Sequence, residues 1–412
     1  MAIDNKDKKV LNVPHLRFPE FTEEWEKCKL GELAVKVGSG STPKGGNAVY
    51  TTSGHCFVRS QNVGMGHLIL NDIAYIDEST HQKQKSTELR TNDVLLNITG
   101  ASIGRTALAT EEINGGNVNQ HVCIIRTNSN VEPSYICDYI QTSKIQKYIQ
   151  SLQTGGSREG LNFEQIRSFP IYIPMVEEQV KISKLLSLIN ERIAIQSKLI
   201  EKLESLIKGL NDTLYAQHGD EVMTSFAALG TSYSGLSGKS AQDFGSGKPF
   251  ITYLNVYLNN VINENDFQYV AIKDGEKQNV VEYGDVLFTL SSETPEEVGI
   301  GSVYLGKDEV FLNSFCFGIH ITNVEVAFPP YLSYYVSSTP FRKFIYPYAQ
   351  GSTRFNLSKA DFEKASIKLP TLENQKRIYS ILGHINCKIE TERQLLALYN
   401  SQKQYMLRQM FI

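Results

Sequence analysis

The segment 235–240, GLSGKS, ends like the loop that binds phosphate in nucleotide-dependent enzymes. In such a loop, backbone amides and a lysine hold the phosphate groups, and the loop follows an apolar strand. Here the position that requires the first glycine is Tyr233, and no apolar strand precedes the segment. We therefore predict a loop and no nucleotide site.

The segment 328–331, FPPY, is similar to the Asn/Asp-Pro-Pro-Tyr motif of amino-methyltransferases. It lacks the polar first residue that holds the target amino group. A similar segment at 132–135 reads EPSY, and proline is common just inside a helix start. Both segments are therefore predicted to begin helices.

Other catalytic patterns are incomplete. The glycine pairs Gly38/Gly40 and Gly64/Gly66 lack the third glycine and the preceding strand of a dinucleotide or S-adenosylmethionine pocket. The acidic segment 21–27, FTEEWEK, has no second group of acids to complete a metal site, and the histidines lie beside no nucleophile motif. The sequence predicts no catalytic residue, no metal site and no cofactor for this chain.

Length and composition indicate a folded protein with two domains. The chain has 412 residues, 41% hydrophobic and 21% charged, a balance typical of globular proteins in water. Its start is polar and no apolar run approaches the roughly 20 residues that span a bilayer, so we expect a cytoplasmic protein. The six cysteines form no CxxC pair and are expected to be ordinary thiols. The formal net charge of -3 gives no electrostatic support for a nucleic-acid partner.

An internal duplication spans almost the whole chain. Pro174 and Pro370 are 196 positions apart (370 − 174 = 196), and around them the match at this offset has no gap. The identical pairs include Gly155/Gly351, Arg158/Arg354, Leu161/Leu357, Ile171/Ile367, Glu177/Glu373, Gln179/Gln375, Ile182/Ile378 and Leu186/Leu382. Farther upstream the offset shifts to 193 for Asn62/Asn255 and to 192 for Asp93/Asp285. One unit has been copied, and its front end has diverged.

The C-terminal part of each copy predicts a long helix. After Pro174 apolar residues recur in steps of four and three, as in the seam of a coiled coil. The seam residues are Ile182, Leu186, Ile189, Ile193, Ile200 and Leu203 in the first copy and Ile378, Leu382, Ile385, Ile389 and Leu396 in the second, where Glu392 and Lys403 interrupt the pattern. We expect the helices to pair as an antiparallel coiled coil; the alternative is that each packs on its own domain.

The front part of each copy has mixed α/β character. Segments 93–98, 122–126, 285–290 and 317–321 are rich in β-forming residues, whereas 133–150 and 330–345 have helical spacing. The segment 230–247 is rich in glycine and serine and is expected to be a loop. The predicted fold class is mixed α/β (α+β), with two pseudo-symmetric globular domains at 1–174 and 219–370 separated by two long helices at 175–218 and 371–412.

These motifs resemble the specificity subunit of type I restriction-modification systems. The resemblance rests on 160–163 (GLNF), 171–174 (IYIP), the dipeptide Glu178-Gln179 and the long heptad helix, all repeated near the C-terminus. The opening segment 16–19 (LRFP), Trp25 and the loop 38–44 (GSGSTPK) are also similar, so the resemblance covers essentially the whole chain. The second domain departs from the family at 237–240, where SGKS replaces a Thr-Pro pattern.

The resemblance implies that this chain recognises DNA and that partner subunits carry out catalysis. Each domain is expected to read one half of a bipartite target in double-stranded DNA, and the helices are expected to act as a ruler between the halves. Two DNA methyltransferase subunits that bind S-adenosylmethionine would dock around the helices, and restriction/translocase subunits would join the full complex. The chain itself is expected to be non-catalytic.

Polar and basic residues in loops are the candidates for DNA contact, because base edges need donors and acceptors and phosphates need lysine or arginine. In the first domain they are Ser41, Thr42, Lys44, Arg59, Gln61, Asn62, Arg105, Gly155, Gly156, Ser157 and Arg158. In the second they are Lys239, Lys248, Tyr253, Asn255, Ser292, Thr294, Gly351, Ser352, Thr353 and Arg354. Arg158 and Arg354 follow glycines and occupy the same place in both copies, which suits phosphate contact.

Two other functional classes remain open at this point. A coiled-coil scaffold with two protein- or ligand-binding domains and no DNA partner would suit the acidic net charge. A self-sufficient methyltransferase or nuclease would need the cofactor or metal motifs that the sequence lacks. DNA binding that depends on salt in the presence of methyltransferase subunits would separate the scaffold from the DNA reader, and tight binding of S-adenosylmethionine by the isolated chain would favour the enzyme.

Overall fold

The computed structural model describes residues 12–45, 49–153, 160–218 and 221–412. The chain divides into two compact units. The first comprises Met1–Ser197 together with Gln394–Ile412, and the second comprises Lys198–Arg393. Each unit therefore contains one α/β domain, a segment of the first long helix and a segment of the second.

Among its described residues, the first unit contains three small sheets and five short α-helices that precede the first long helix. Its strands are β1 (Glu26–Lys29), β2 (Ala34–Ser39), β3 (His55–Val58), β4 (Ala74–Ile76), β5 (Val94–Asn97), β6 (Thr106–Leu108), β7 (Asn117–Val118), β8 (Val122–Thr127) and β9 (Pro170–Ile173). Its short helices are α1 (Leu30–Leu33), α2 (Glu78–Lys83), α3 (Pro133–Ile140), α4 (Ser143–Ser151) and α5 (Phe163–Arg167). The strand orders are β1-β9, β2-β8-β5-β6 and β4-β3-β7.

The second unit repeats this plan with a longer list of strands. They are β10 (Val222–Thr224), β11 (Gly230–Ser234), β12 (Phe244–Ile251), β13 (Gln268–Val270), β14 (Val280–Val281), β15 (Val286–Thr289), β16 (Ser291–Ser292), β17 (Gly301–Val303), β18 (Val310–Leu312), β19 (Cys316–Ile321), β20 (Ala349–Gln350), β21 (Phe355–Leu357) and β22 (Ile367–Leu369). Its short helices are α7 (Phe226–Leu229), α8 (Tyr253–Leu258), α9 (Pro329–Tyr335), α10 (Thr339–Ile345) and α11 (Lys359–Lys364).

The sheets of the two units correspond strand by strand, as the duplication in the sequence requires. The orders β10-β22, β11-β19-β15-β17 and β13-β12-β18-β14 match the three sheets of the first unit, with β14 added. A parallel strand pairing also recurs, β3 with β7 in the first unit and β12 with β18 in the second. The sheet β16-β21-β20 has a smaller counterpart, the single bridge between Thr99 and Gly160. The mixed α/β fold class predicted from the sequence is confirmed.

The expectation of a continuous loop over 230–247 is wrong. Strand β11 occupies its first five residues and pairs with β19, and β12 begins at Phe244. Glycine occurs there because strands pass closely: a Cβ on Gly230 would lie 1.8 Å from the carbonyl oxygen of His320, and a Cβ on Gly318 would meet the ring of Tyr233. Glycine in this segment therefore permits strand pairing as well as turns.

Each expected helical segment before the long helices is two short helices. In the first unit, the hydroxyl of Thr142 accepts a hydrogen bond from the backbone N–H of Ile145 and begins α4. In the second unit, Ser338 accepts from the N–H of Phe341 and begins α10. Helical periodicity does not show such breaks, because a cap in mid-segment keeps the apolar spacing on both sides.

The two long helices predicted from the heptad spacing are present. Helix α6 runs over Val176–His218, 43 residues, and α12 runs over Leu372–Gln409, 38 residues. Within the second unit the two run antiparallel, since Arg393 pairs with Glu204 while Asn374 bonds Glu221, just beyond the end of α6. Of the seam residues, Ile182, Leu186, Ile189, Ile200, Ile378, Leu382 and Ile389 are buried, and Ile193, Leu203, Ile385 and Leu396 are partly exposed.

The first unit also contains the last residues of the chain. Leu407, Met410 and Phe411 lie in the same apolar cluster as Ile182 and Leu186. The ring of Phe411 packs on Tyr135 and Tyr139, at centroid distances of 5.3 and 5.5 Å. The end of α12 is therefore part of the core of the first unit.

A repeated glutamine fixes the start of each long helix to its domain. Gln179 accepts a hydrogen bond from the backbone N–H of Glu132 (2.9 Å) and donates one to the carbonyl of Pro174 (2.8 Å). Gln375 makes the same contacts with the N–H of Phe328 and the carbonyl of Pro370, at 2.7 and 2.9 Å. Both glutamines are almost fully buried. A buried amide needs such partners, which explains why this residue is identical in the two copies.

Candidate nucleic-acid interface

A cleft in the second unit brings together three of the residues predicted for DNA contact. Tyr253, Ser292 and Arg354 line a space of about 330 Å³. The other lining residues are Leu254, Tyr257, Ser291, Glu293, Glu297 and Phe315. These residues come from α8, from β16 and the turn that follows it, from the residue before β19, and from the turn before β21. Four separate segments thus meet at one concave surface.

Hydrogen bonds fix the wall of this cleft. The hydroxyl of Tyr253 donates to the carbonyl of Ser291 (2.8 Å), and its ring stacks on that of Tyr257 at 6.0 Å. The carboxylate of Glu297 accepts from the hydroxyls of Tyr257 (2.7 Å) and Ser292 (3.0 Å).

The same bonds set the ionisation of these groups. Donation from the hydroxyls of Tyr257, Ser292 and Thr294 lowers the pKa of Glu297. The bond to this carboxylate raises the pKa of Tyr257, and burial raises that of Tyr253. At neutral pH the wall therefore consists of neutral phenols around a fixed carboxylate.

The backbone just before the central strand of the main sheet makes the same hydrogen bonds in both units. Phe315 donates its N–H to the side chain of Asn313 (2.9 Å), and its carbonyl accepts from Leu290. In the first unit His121 donates its N–H to Asn119 (3.1 Å), and its carbonyl accepts from Ile98. Since β8 and β19 correspond at an offset of 194, His121 occupies the place of Phe315.

The lining at this place in the first unit is polar. Thr42 donates to the side-chain oxygen of Gln120, whose amide nitrogen lies 3.0 Å from Nε2 of His121. Nδ1 of the same imidazole is hydrogen-bonded to the hydroxyl of Thr99, the residue that corresponds to Ser291. At the place of Leu254 the first unit has Gln61, which is exposed and bonds Asp72 (2.6 Å). Hydrogen-bonding side chains thus replace the leucine and the phenylalanine of the second unit.

A buried aspartate supports the central sheet of each unit with a different partner. In the first unit Arg126 donates two hydrogen bonds to Asp93, both 2.7 Å long. In the second unit Asp285 takes this place and bonds Tyr233 (2.6 Å) and His320 (2.9 Å). Burial raises the pKa of Asp285, and burial beside this carboxyl group raises that of Tyr233. Both aspartates also accept from the backbone N–H three residues earlier, so their role is structural.

Most of the predicted contact residues are exposed. Exposed residues in the first unit are Ser41, Thr42, Lys44, Gln61 and Arg105; those in the second are Lys248, Thr294, Gly351, Ser352, Thr353 and Arg354. Arg59 and Tyr253 are partly exposed. The guanidinium of Arg59 bonds Asp72 (3.0 Å) and lies over the ring of Tyr50. Gly155, Gly156, Ser157 and Arg158 lie outside the described residues.

Four predicted contact residues are committed to internal bonds. Asn62 donates to the carbonyl of Ile69 (2.9 Å), and its repeat counterpart Asn255 donates to that of Asn263 (2.9 Å); both are buried. Lys239, with a side chain only 5% exposed, pairs with Glu276. Ser292 is buried and bonds Glu297. These contacts hold turns in place, which is why the asparagine is kept in both copies.

Sequence reasoning missed several residues that line the cleft in the second unit or stand at the corresponding place in the first. Leu254, Tyr257 and Phe315 in the second unit, and Thr99, Gln120 and His121 in the first, were not singled out. The signal that could have found them is their position along the chain. Gln120 and His121 immediately precede β8, and Phe315 precedes the corresponding strand. Recognising it requires the strand register, which shows that the two sites correspond.

The described residues contain no group of three or more His, Cys, Asp or Glu side chains placed to hold a metal ion. Among the same residues, no helix is long and apolar enough to cross a membrane.

Comparison with known proteins agrees with the resemblance. The chain matches the family described as "Type I restriction modification DNA specificity domain" over residues 22–205 and again over 238–398. The putative type I restriction enzyme MjaX specificity subunit of Methanocaldococcus jannaschii is 24% identical over 405 residues, which cover 91% of this chain and 89% of that protein. The type I restriction enzyme EcoBI specificity subunit of Escherichia coli is 25% identical over 128 residues, 30% of this chain and 26% of that protein.

Two solved structures share the fold. A chain from the study of complex assembly and conformational transition of the type I R-M system superposes with a TM-score of 0.58 at 17% identity, covering 93% of this chain and 96% of that one. The S subunit of the type I restriction-modification system from M. genitalium gives 0.55 at 13% identity, covering 97% and 99%.

The two family matches together span most of the chain, one in each half. The protein belongs to the type I restriction-modification DNA specificity family. It is a specificity subunit with two target recognition domains.

Proposed function

We propose that each recognition domain contacts one half of a bipartite target in duplex DNA, the second through the cleft described above and the first through the polar residues at the corresponding place. One observation carries this proposal: the residues just before β8 and β19 make the same backbone hydrogen bonds, whereas the side chains at corresponding positions there differ in chemistry. Residues that fix the start of the long helices stay the same in the two copies, as Gln179 and Gln375 do. Different side chains at corresponding surface positions are expected if each copy reads a different sequence.

In the first domain the polar row of Thr42, Gln120 and His121 supplies hydrogen-bond donors and acceptors for base edges. Exposed cations outside the clefts, Lys44, Arg105 and Lys248, are suited to phosphate contact. In the second domain Arg354 is the one cation among the residues that line the cleft. The net charge of -3 does not oppose this assignment, since phosphate contact depends on where the cations lie.

We assign the first recognition domain to residues 1–174 and the second to 219–370, with the spacer helices at 175–218 and 371–412. A helix of 43 residues is about 64 Å long at 1.5 Å per residue. The buried seam residues hold each helix segment within its unit. The ruler role of the helices rests on family membership and on this length.

The chemistry in this proposal belongs to partner subunits. Two DNA methyltransferase subunits dock around the helices and bind S-adenosylmethionine, and restriction/translocase subunits join them in the full complex. The specificity subunit supplies the sequence information and acts in the cytoplasm. Isothermal titration of the isolated chain with S-adenosylmethionine tests this division, since tight binding would contradict it.

The test of DNA reading is co-expression of the chain with the methyltransferase encoded beside it, followed by mapping of methylated adenines on plasmid DNA. The control is the same methyltransferase expressed alone. Methylation that needs this chain, at a split motif with a fixed gap, is the expected result. Methylation that is absent, or unchanged when this chain is left out, would contradict the proposal.

A further inference from the structure

The second recognition domain has an apolar surface in the cleft that we assign to DNA. Leu254 is 61% exposed and Phe315 is 57% exposed, and both line this cleft. The stacked rings of Tyr253 and Tyr257 lie beside them. Single exposed apolar residues are common on proteins. Four apolar or aromatic side chains that line one cleft are a patch, and such patches mark binding sites.

The fold does not require these residues to be apolar. In the first domain Gln61 stands at the place of Leu254, and His121 stands at the place of Phe315 with the same backbone hydrogen bonds. Both of those side chains engage in polar contacts, Gln61 with Asp72 and His121 with Thr99. The apolar pair therefore reflects what the second domain binds.

The charges around the cleft favour base edges over the phosphate backbone. Glu293 and Glu297 line it together with Arg354. Carboxylates repel phosphate, whereas they accept hydrogen bonds from the amino groups of bases. Arg354, in the exposed turn before β21, provides the attraction to DNA. Along the major groove, the one apolar group at the base edges is the C5-methyl group of thymine.

We propose that the second recognition domain reads a thymine by placing its C5-methyl group against Leu254 and Phe315. The inference rests on the proposed function, and it assigns a base and a chemical group to the cleft of the second domain. It also predicts a difference between the domains: removal of a thymine methyl group affects the second half-site and leaves the first, which polar side chains read, almost unchanged.

The experiment uses the complex of this chain with its methyltransferase subunits and a duplex that contains the methylated motif. Each thymine in turn is replaced by deoxyuridine, which removes only the methyl group, and the dissociation constant is measured. The matched variant carries Leu254→Gln and Phe315→His, the residues that the first domain has at these places. Since both side chains are largely exposed, the fold tolerates this change.

For the unmodified complex we expect one thymine at which deoxyuridine weakens binding about 3- to 10-fold, the effect of one methyl group removed from an apolar contact. In the double variant, thymine and deoxyuridine at that position should bind equally. Equal binding of thymine and deoxyuridine at every position by the unmodified complex would overturn the inference. So would a deoxyuridine penalty that persists in the double variant. If the double variant loses the same affinity for the thymine duplex and the deoxyuridine duplex, the two side chains act instead as a minor-groove wedge. In those cases the complex still binds its site specifically, and the proposed function stands. Binding without any site preference would contradict both the proposed function and the thymine inference.

Discussion

The guanidinium of Arg17 donates two hydrogen bonds, each 2.8 Å long, to the carboxylate of Glu178. Glu178 is completely buried in the first turn of α6. In the second copy its place is taken by Asn374, which donates to the carboxylate of Glu221 at 2.9 Å. Each long helix therefore makes a side-chain contact at its start, with the carboxylate on the helix in the first copy and on Glu221 in the second.

Replacement of Glu178 by alanine should destabilise the protein. It leaves the guanidinium of Arg17 without its partner, and loss of charge-assisted hydrogen bonds costs about 1.5–3 kcal/mol. Urea unfolding followed by circular dichroism measures the change. Glu177→Ala, at the exposed neighbouring position in the same turn, is the control and should cost less than about 1 kcal/mol. Equal losses for the two variants would contradict the role given to this pair.

A second prediction concerns pH and the buried carboxyl group of Asp138. Burial raises its pKa to about 7, although the positive charge of Lys403 opposes the shift. Because the folded-state pKa lies above that of the unfolded chain, ionisation disfavours folding. The free energy of unfolding should therefore fall as pH rises from about 4 to about 7, by on the order of 3 kcal/mol.

Asp138→Asn removes this titration. The variant should show a smaller loss of stability between pH 5 and pH 8 than the unmodified protein, in urea unfolding at each pH. Glu191→Gln changes an exposed acid on α6, so its free energy of unfolding should change with pH as that of the unmodified protein does. A slope that is the same in all three proteins would show that Asp138 does not control it.

Phe411 provides a test of the contribution of the chain's end to the first unit. Its side chain is 4% exposed and packs on Tyr135 and Tyr139. Phe411→Ala should lower the free energy of unfolding by about 3–5 kcal/mol, the range for buried aromatic residues. Tyr405→Ala, at a position 48% exposed on the same helix, is the control. A loss below 1 kcal/mol at Phe411 would show that the end of α12 does not belong to this core.

Arg354→Ala tests whether this arginine contacts phosphate. The variant complex should bind every DNA sequence more weakly, and the slope of log K against log salt should fall by about 1. Fluorescence anisotropy with target and non-target duplexes across a salt series gives both quantities. An unchanged slope together with loss of preference at one base pair would instead assign Arg354 to a base edge.

The architecture could be predicted from the sequence where long-range repetition made the signal strong. The heptad spacing from Ile182 onward predicted α6, and the offset of 196 predicted the second copy. Short-range signals failed where strands pass each other closely: the glycine and serine content of 230–247 suggested a loop, but Gly230 accommodates the close approach of His320 in a paired strand. Glycine content alone cannot separate these two causes.

The candidate site was predicted less completely. Polar type and loop position selected Arg354 and Thr42, which do line or adjoin the clefts. The same criteria selected Asn62 and Asn255, whose amides are bonded to backbone carbonyls inside the fold. Leu254 and Phe315 were missed because an apolar residue in a single sequence indicates the core by default. Their exposure is known only once the strands are in register.

The measurement that tests the central claim most directly is a methylation map of three complexes that differ only at the candidate contact sites of the two domains. The first is unmodified, the second carries Thr42→Ala with Gln120→Ala, and the third carries Leu254→Gln with Phe315→His. If the two domains read the two halves of the target, the second complex relaxes one half of the motif and the third relaxes the other, with the gap unchanged. Relaxation of the same half by both variants, or of neither half by either, would contradict the assignment of the clefts.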